Sequence, residues 1–284
     1  MTEHFAEELG IYYRKNTFVP GRQTLVFVHG LSGSSSTLLV HEAMFESRYN
    51  LLSYDIRGHG KSRKYARYRD YEIPRFAEDL QALLEHLAID RCVLISHSYA
   101  VLIALEFLRL HQARVEGAVL LSGAYAIGRS LPAKVLTGLL SPVVLLDARP
   151  FHPGPGGHVD YAQYPDSGDW NMRRILADAR NTTWRVWLCC TKQVFAADHE
   201  LTLPDIHVPV LLVHGRKDSI FSVENSIDMA ARIPRAELVI VEDIDHIIVL
   251  NRPREVGDAI ERFVGRLPQH GHADVARPSD AQPA

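Results

Sequence analysis

Cysteine is scarce in this chain: Cys92, Cys189 and Cys190 are the only three in 284 residues. They make no disulfide framework and none has the spacing of a zinc site, so they are expected to be reduced core thiols in a cytoplasm. Long apolar runs are missing as well. Val143 to Leu146 falls far short of the roughly 20 residues a membrane span needs, which argues against stable membrane insertion. The opening segment, Met1 to Glu8, is acidic and lacks a basic and apolar signal pattern. Excess positive charge is absent too: the formal net charge is −3, so there is no electrostatic case for nucleic acid. There is no internal repeat and no sign of a second core.

What remains is an ordinary globular chain, 46% hydrophobic and 23% charged, long enough for one large α/β domain or two small ones. Short aliphatic runs alternate with amphipathic segments, the rhythm of a parallel sheet covered on both faces. Leu9 to Phe18 followed by the turn Gly21-Arg22-Gln23 suggests an opening hairpin. Strands are expected at Thr24–Val28, Tyr49–Tyr54, Cys92–Ile95, Val115–Leu121, Val210–Val213 and Leu238–Val241. Helices are expected at Ile73–Leu87, from Tyr99 to Leu110, at Val223–Arg232 and at Val256–Leu267. From Ala124 to about Pro204 the rhythm breaks. Prolines 132, 142, 150, 153, 155 and 165 interrupt it, and all three tryptophans (170, 184, 187) fall inside it. Helical pieces at Pro132–Leu140, Asp169–Arg180 and Thr183–Ala196 within such an insertion suggest a cap over a pocket, or else simple packing helices.

The junction between Cys92–Ile95 and the helix from Tyr99 leaves room only for a very tight turn, and Ser98 sits in it. A serine held there stands clear of the backbone with a helix N-terminus behind it, which is the geometry of a nucleophile elbow. The usual pattern has glycine two residues to either side; here Ser96 and Ala100 occupy those positions, the next smallest choices where strand and helix nearly touch. In a parallel sheet, loops leaving the carboxyl ends of the strands gather along one edge. Three such loops carry Ser98, Asp218 and His246. Serine is a poor nucleophile until an imidazole removes its proton, and the imidazole needs a carboxylate to fix its tautomer and stabilise its charge. Taken singly, Asp218 reads equally as a helix cap and His246 as a surface histidine; their joint placement favours the catalytic reading. Asp245 adjoins His246 and is awkward for facing its ring, Asp243 would have to fold back, and Ser122 cannot act as an acid. His97 reads as structural support. The cluster Asp55-Ile56-Arg57-Gly58-His59-Gly60-Lys61-Ser62 allows acid–base chemistry, but a rigid, internally hydrogen-bonded turn is favoured. The loop His29 to Ser36 can turn backbone N–H groups toward an anion; no Walker lysine follows, which disfavours a phosphate cradle.

With Val28-His29-Gly30-Leu31, the Asp55 to Ser62 stretch, Ser96-His97-Ser98, His214-Gly215-Arg216-Lys217-Asp218 and Asp245-His246, residues 20 to 267 resemble the α/β-hydrolase superfamily, specifically its small esterase, lipase and lactonase-like members with a helical cap. The resemblance implies an α/β-hydrolase fold with a mostly parallel central sheet, helices on both faces and a helical cap insertion. The domain boundaries that follow are a core of residues 1–123 and 205–267, a cap at 124–204 and a disordered tail at 268–284. It further implies an oxyanion hole made by the backbone N–H groups of Leu31 and Tyr99. Because Ser98 is not replaced by aspartate, dehalogenase-type chemistry is disfavoured.

The expected reaction is hydrolysis of a carboxylic ester, lactone or thioester through an acyl-enzyme on Ser98, with no metal or organic cofactor and a small-molecule acyl substrate as the partner. Acyl transfer to an alcohol or amine is the alternative within the same chemistry; a ligand-binding or sensor protein on a hydrolase scaffold is the alternative outside it. Cap aromatics and few charges near the elbow lean toward a largely apolar substrate, while Arg173, Arg174, Arg180 and Arg185 each offer a partner for a carboxylate. Oligomeric state is not legible in the sequence.

Overall fold

The computed structural model describes residues 1–128 and 131–268. Among them, eight strands form one sheet: β1 (Thr2–Ala6), β2 (Ile11–Lys15), β3 (Thr24–Val28), β4 (Asn50–Tyr54), β5 (Cys92–His97), β6 (Val115–Leu121), β7 (Val210–Gly215) and β8 (Ala236–Val241). Their spatial order is β1-β2-β4-β3-β5-β6-β7-β8. Every pairing from β4 to β8 is parallel, and β2 joins β4 antiparallel. The helices are α1 (Leu39–Phe45), α2 (Ile73–His86), α3 (Tyr99–His111), α4 (Leu131–Leu139), α5 (Met172–Thr182), α6 (Trp184–Ala196), α7 (Glu224–Arg232), α8 (Ile248–Asn251) and α9 (Pro253–Val264). None is long and apolar enough to cross a membrane.

Alternation along the strands builds two cores. In β3, Val26 and Val28 pack with Phe76 and Leu80 of α2 and Leu102 and Leu105 of α3. Leu25 and Phe27 point the other way, onto Phe45 of α1 and Ile260 and Phe263 of α9. Strands apolar on both faces must be covered on both, which is why a continuous Leu-Val-Phe-Val run sits near the middle of the sheet rather than at its edge.

The opening hairpin differs from its expected position. The Ile11–Lys15 strand pairs with Thr2–Ala6 on one side and β4 on the other, and not with Thr24–Val28. β1 carries Thr2, Glu3 and His4 on a largely exposed edge, so it has no apolar alternation for sequence reasoning to find. The tail expected to be disordered falls, from residue 269 onward, outside the described residues.

Between β6 and β7 the chain leaves the sheet for α4, α5, α6 and short 3-10 turns. This segment is tied to the loops at the carboxyl ends of the strands. Thr182 donates to the Ser32 carbonyl (2.8 Å), Ser36 donates to the Val159 carbonyl (2.9 Å), and His158 meets Asp55 (2.8 Å).

Candidate active site

β5 runs into α3 through a single residue. Ser98 has φ 59° and ψ −120°, a left-handed backbone that a non-glycine residue adopts only under constraint. The constraint is visible on both sides: Ser98 N–H donates to the Leu121 carbonyl of β6 (2.8 Å), and the Ser98 carbonyl accepts from Val101 (2.9 Å). Gly30 supplies the clearance. A Cβ there would lie 3.0 Å from the Ser98 Cβ and 3.3 Å from His97 Nδ1. Ser96 and Ala100, where glycines were expected, are both fully buried and fit, although the Ser96 hydroxyl has no partner among the described residues.

The three side chains singled out in the sequence come together. Ser98 Oγ lies 2.7 Å from His246 Nε2, and His246 Nδ1 lies 2.7 Å from Asp218 Oδ2. All three side chains are buried or nearly so. Burial raises the affinity of the Asp218 carboxyl for a proton, but hydrogen bonds from His214 and His246 outweigh it and hold the group well below the usual carboxylate range. Its Oδ1 accepts the N–H groups of Ile220 (2.9 Å) and Phe221 (2.8 Å) in the loop before α7, and the N-cap position of that helix is Val223, so Asp218 is not the helix cap it could have been. Tyr99 is the first residue of α3 and has no intrahelical acceptor for its N–H. The Leu31 N–H likewise enters no hydrogen bond between described residues.

His97 supports the histidine rather than the serine. Its Nε2 donates to the His246 carbonyl (3.1 Å), and the two rings meet at a tilt of 41° with centroids 5.2 Å apart. Burial pushes its pKa down to about 3, so it is a neutral prop. The competing acids are engaged elsewhere. Asp245 accepts from Ile247 (3.1 Å) and Asp169 (3.2 Å) through their N–H groups, and Asp243 pairs with Lys217 on the surface (2.8 Å). The Asp55 to Ser62 stretch is the internally bonded turn favoured above. Asp55 accepts from Ser35 N–H and Oγ and from Lys61 N–H, and Arg57 forks onto Asp79.

Sequence reasoning missed the contribution of the inserted segment. Asp169 reaches the loops of both His246 and Asp218: its Oδ1 accepts the His246 N–H (2.8 Å), and its Oδ2 accepts the N–H (3.0 Å) and hydroxyl (2.6 Å) of Ser219, next to Asp218. A cavity of about 60 Å³ adjoins Ser98 and His246, with Leu31, Thr37, Tyr161, Arg174, Asp178 and Leu250 in its wall. The sequence leaned toward a largely apolar substrate while offering four cap arginines as carboxylate partners; of these Arg174 lines the cavity, together with the Asp178 carboxyl. The signal was present in α5, where Arg174 and Asp178 lie one turn apart on the face that also buries Ala179 and Thr182. Burial pushes the Asp178 carboxyl up to about 6, against a hydrogen bond from Tyr161 Oη (2.7 Å) and the nearby Arg174 charge. Size does not mark the site. A larger open groove of about 350 Å³, lined by Arg91, Gln112, Pro209 and Arg235 among others, lies at the amino ends of the strands. No group of three or more His, Cys, Asp or Glu among the described residues is arranged to hold a metal ion.

Residues 25–259 match the model of the alpha/beta hydrolase family. Protein ABHD8 of Homo sapiens is 24% identical over 268 residues, an alignment covering 91% of this chain but 59% of that protein, so the chain spans little more than half of the relative's length. A putative esterase/lipase of Haemophilus influenzae is 26% identical over 244 residues, covering 85% of this chain and 83% of its own. Among solved structures, Est816, described as an N-acyl homoserine lactone degrading enzyme, superposes with a TM-score of 0.69 at 25% identity, covering 89% of this chain and 96% of its own.

Proposed function

Because this chain belongs to the alpha/beta hydrolase family, we propose that it hydrolyses a small carboxylic ester or lactone through an acyl-enzyme on Ser98. The observation that carries this reading is the unbroken chain from Ser98 Oγ through His246 to Asp218, 2.7 Å at each link. His246 Nε2 takes the Ser98 proton as Oγ attacks the scissile carbonyl, and Asp218 stabilises the imidazolium through Nδ1–H. The N–H groups of Leu31 and Tyr99 receive the oxyanion. The tetrahedral intermediate collapses, His246 gives its proton to the departing alkoxide, and the alcohol leaves. Water, deprotonated by the same imidazole, then attacks the acyl-enzyme and releases the acid and free Ser98. Residues 124–204 act as the cap that closes this pocket over a core of 1–123 and 205–267.

Two relatives support the class of substrate: one is named a putative esterase/lipase and one is described as degrading an acyl lactone. The expectation of a largely apolar substrate is not carried forward, because Arg174 and Asp178 stand in the pocket wall. The strained backbone at Ser98 favours an enzyme over a ligand sensor, since strain of this kind costs about 1–3 kcal/mol and persists where its surroundings enforce it.

The test is covalent labelling with a fluorophosphonate, read by intact mass on the wild type and on Ser98→Ala, alongside turnover of 4-nitrophenyl esters of increasing chain length. One adduct, lost in the variant together with turnover, is expected. An unlabelled, inactive wild type refutes the serine mechanism.

A further inference from the structure

The interior of this protein treats one arginine unlike the others. Arg14 is paired with Glu42 and Arg57 with Asp79, each a guanidinium on a carboxylate. Arg174, 7% exposed, has no carboxylate partner among the described residues. Its Nη2 donates to the main-chain carbonyls of Asp169 (3.0 Å) and Gly168 (3.3 Å), and its Nε is sealed from solvent without an acceptor. An unpaired buried charge is costly and is retained where something else supplies the counter-charge. Arg174 lines the same cavity as Ser98 and His246, and its charge is felt by His97 and Asp178, which line it too. Asp178 makes no contact ion pair with Arg174: its carboxyl accepts from Tyr161, and the two groups act on each other only through space.

We propose that Arg174 recognises a carboxylate on the acyl part of the substrate, so that Ser98 acts on the ester or lactone of a short dicarboxylic or carboxyacyl group. This rests on the acyl-enzyme reading above and deepens it. The acyl side is assigned because the leaving alcohol must depart while the acyl group stays, and a cavity of about 60 Å³ beside Ser98 retains only a short chain. A planar guanidinium with unused donors matches a carboxylate fork better than it matches any neutral group.

The experiment compares two pairs of matched ethyl esters by pH-stat: monoethyl succinate with ethyl 4-oxopentanoate, and monoethyl glutarate with ethyl 5-oxohexanoate. In each pair a methyl ketone replaces the carboxylate at nearly constant shape. Because Arg174 also holds main-chain carbonyls, the ratio within a pair is the readout, and not the rate alone. The wild type is expected to favour the half-ester in at least one pair by about 10- to 100-fold in kcat/KM, the scale of a charge-assisted hydrogen bond in a dry site. Arg174→Gln should bring that ratio to near one by losing the half-ester, and Arg174→Lys should leave it in between. A wild type with no half-ester preference in either pair overturns the proposal, as does an Arg174→Gln that slows both esters equally. If Arg174→Gln does not fold, Arg174→Lys decides, and an unchanged ratio there counts against the proposal. If no ester is turned over, half-ester binding is titrated calorimetrically to Ser98→Ala. Binding that weakens in Ser98→Ala with Arg174→Lys upholds the carboxylate site while the acyl-enzyme reading fails; absence of binding, or binding unchanged by Arg174→Lys, overturns the site itself.

Discussion

Replacing Asp169 by asparagine tests whether the inserted segment holds the loops of Asp218 and His246 in register for the proposed reaction. The carboxylate accepts three hydrogen bonds, from His246 N–H (2.8 Å), Ser219 N–H (3.0 Å) and Ser219 Oγ (2.6 Å). Asparagine has one oxygen to offer. Turned toward Ser219, it points its NH2 at the His246 N–H; turned toward His246, it points the NH2 at the Ser219 N–H. Either orientation loses a charge-assisted bond and leaves a backbone donor facing another donor, a cost of about 2–3 kcal/mol. That corresponds to a fall in Tm of about 3–5 °C for a domain of this size. His246 and Asp218 are each tethered within one residue of these bonds, so a displacement approaching 1 Å should lower kcat by about 10- to 100-fold. The assay is steady-state ester hydrolysis and fluorophosphonate labelling rate, both taken well below the melting temperature of the variant, with thermal unfolding alongside. A merely structural Asp169 would lower Tm and leave kcat and labelling unchanged in the folded protein. That outcome, or an unchanged Tm with unchanged kcat, refutes the reasoning.

Two further expectations concern groups the site leaves unbalanced. Ser96→Ala removes a buried hydroxyl that has no partner among the described residues, so urea unfolding should show stability unchanged or raised by up to about 1 kcal/mol, and a loss would mean that the hydroxyl is satisfied. Asp178 has its carboxyl pushed up to about 6 by burial, so the folded state binds its proton more tightly than the unfolded chain does. Its contribution is therefore fully present below the ordinary carboxyl pKa of about 4 and is lost as pH rises through about 6, on the order of 3 kcal/mol in all. Asp178→Asn keeps the oxygen that accepts from Tyr161 and should flatten this dependence; parallel stability curves for wild type and variant between pH 4 and 8 would refute it.

The fold was legible because buried parallel strands leave a strong one-dimensional trace. Thr24–Val28 and Val115–Leu121 read as strands from composition alone, and both stand inside the sheet. The three side chains of the site were legible for a topological reason: each follows a strand that ends at the same edge, so chain order translates into proximity. Position β1 left no such trace, being polar and exposed at the sheet margin. Asp169 left none either. Nothing in the local sequence says that an acid more than seventy residues before His246 will cap that residue's N–H; only the tertiary path of the inserted segment does. Arg174 stood among four arginines of equal standing until the orientation of α5 separated them, turning Arg174 and Asp178 inward.

Recognition and positioning meet in one peptide. Arg174 holds the Asp169 carbonyl, the Asp169 carboxylate holds the His246 N–H, and the His246 carbonyl accepts from His97, the residue before Ser98. A change in the seating of α5 is thus passed through hydrogen bonds, none longer than 3.1 Å, to both His246 and the turn that carries Ser98. Such a chain does not require the inserted segment to touch the reacting atoms in order to control them. It requires only that the segment be seated, and an anion on Arg174, as proposed, would add its weight to that seating by supplying the counter-charge that the backbone carbonyls on Nη2 do not. The same arrangement explains why a backbone as strained as that of Ser98 is held: the turn is fixed by β6 on one side, by the close approach of Gly30 on another, and by the histidine pair above it.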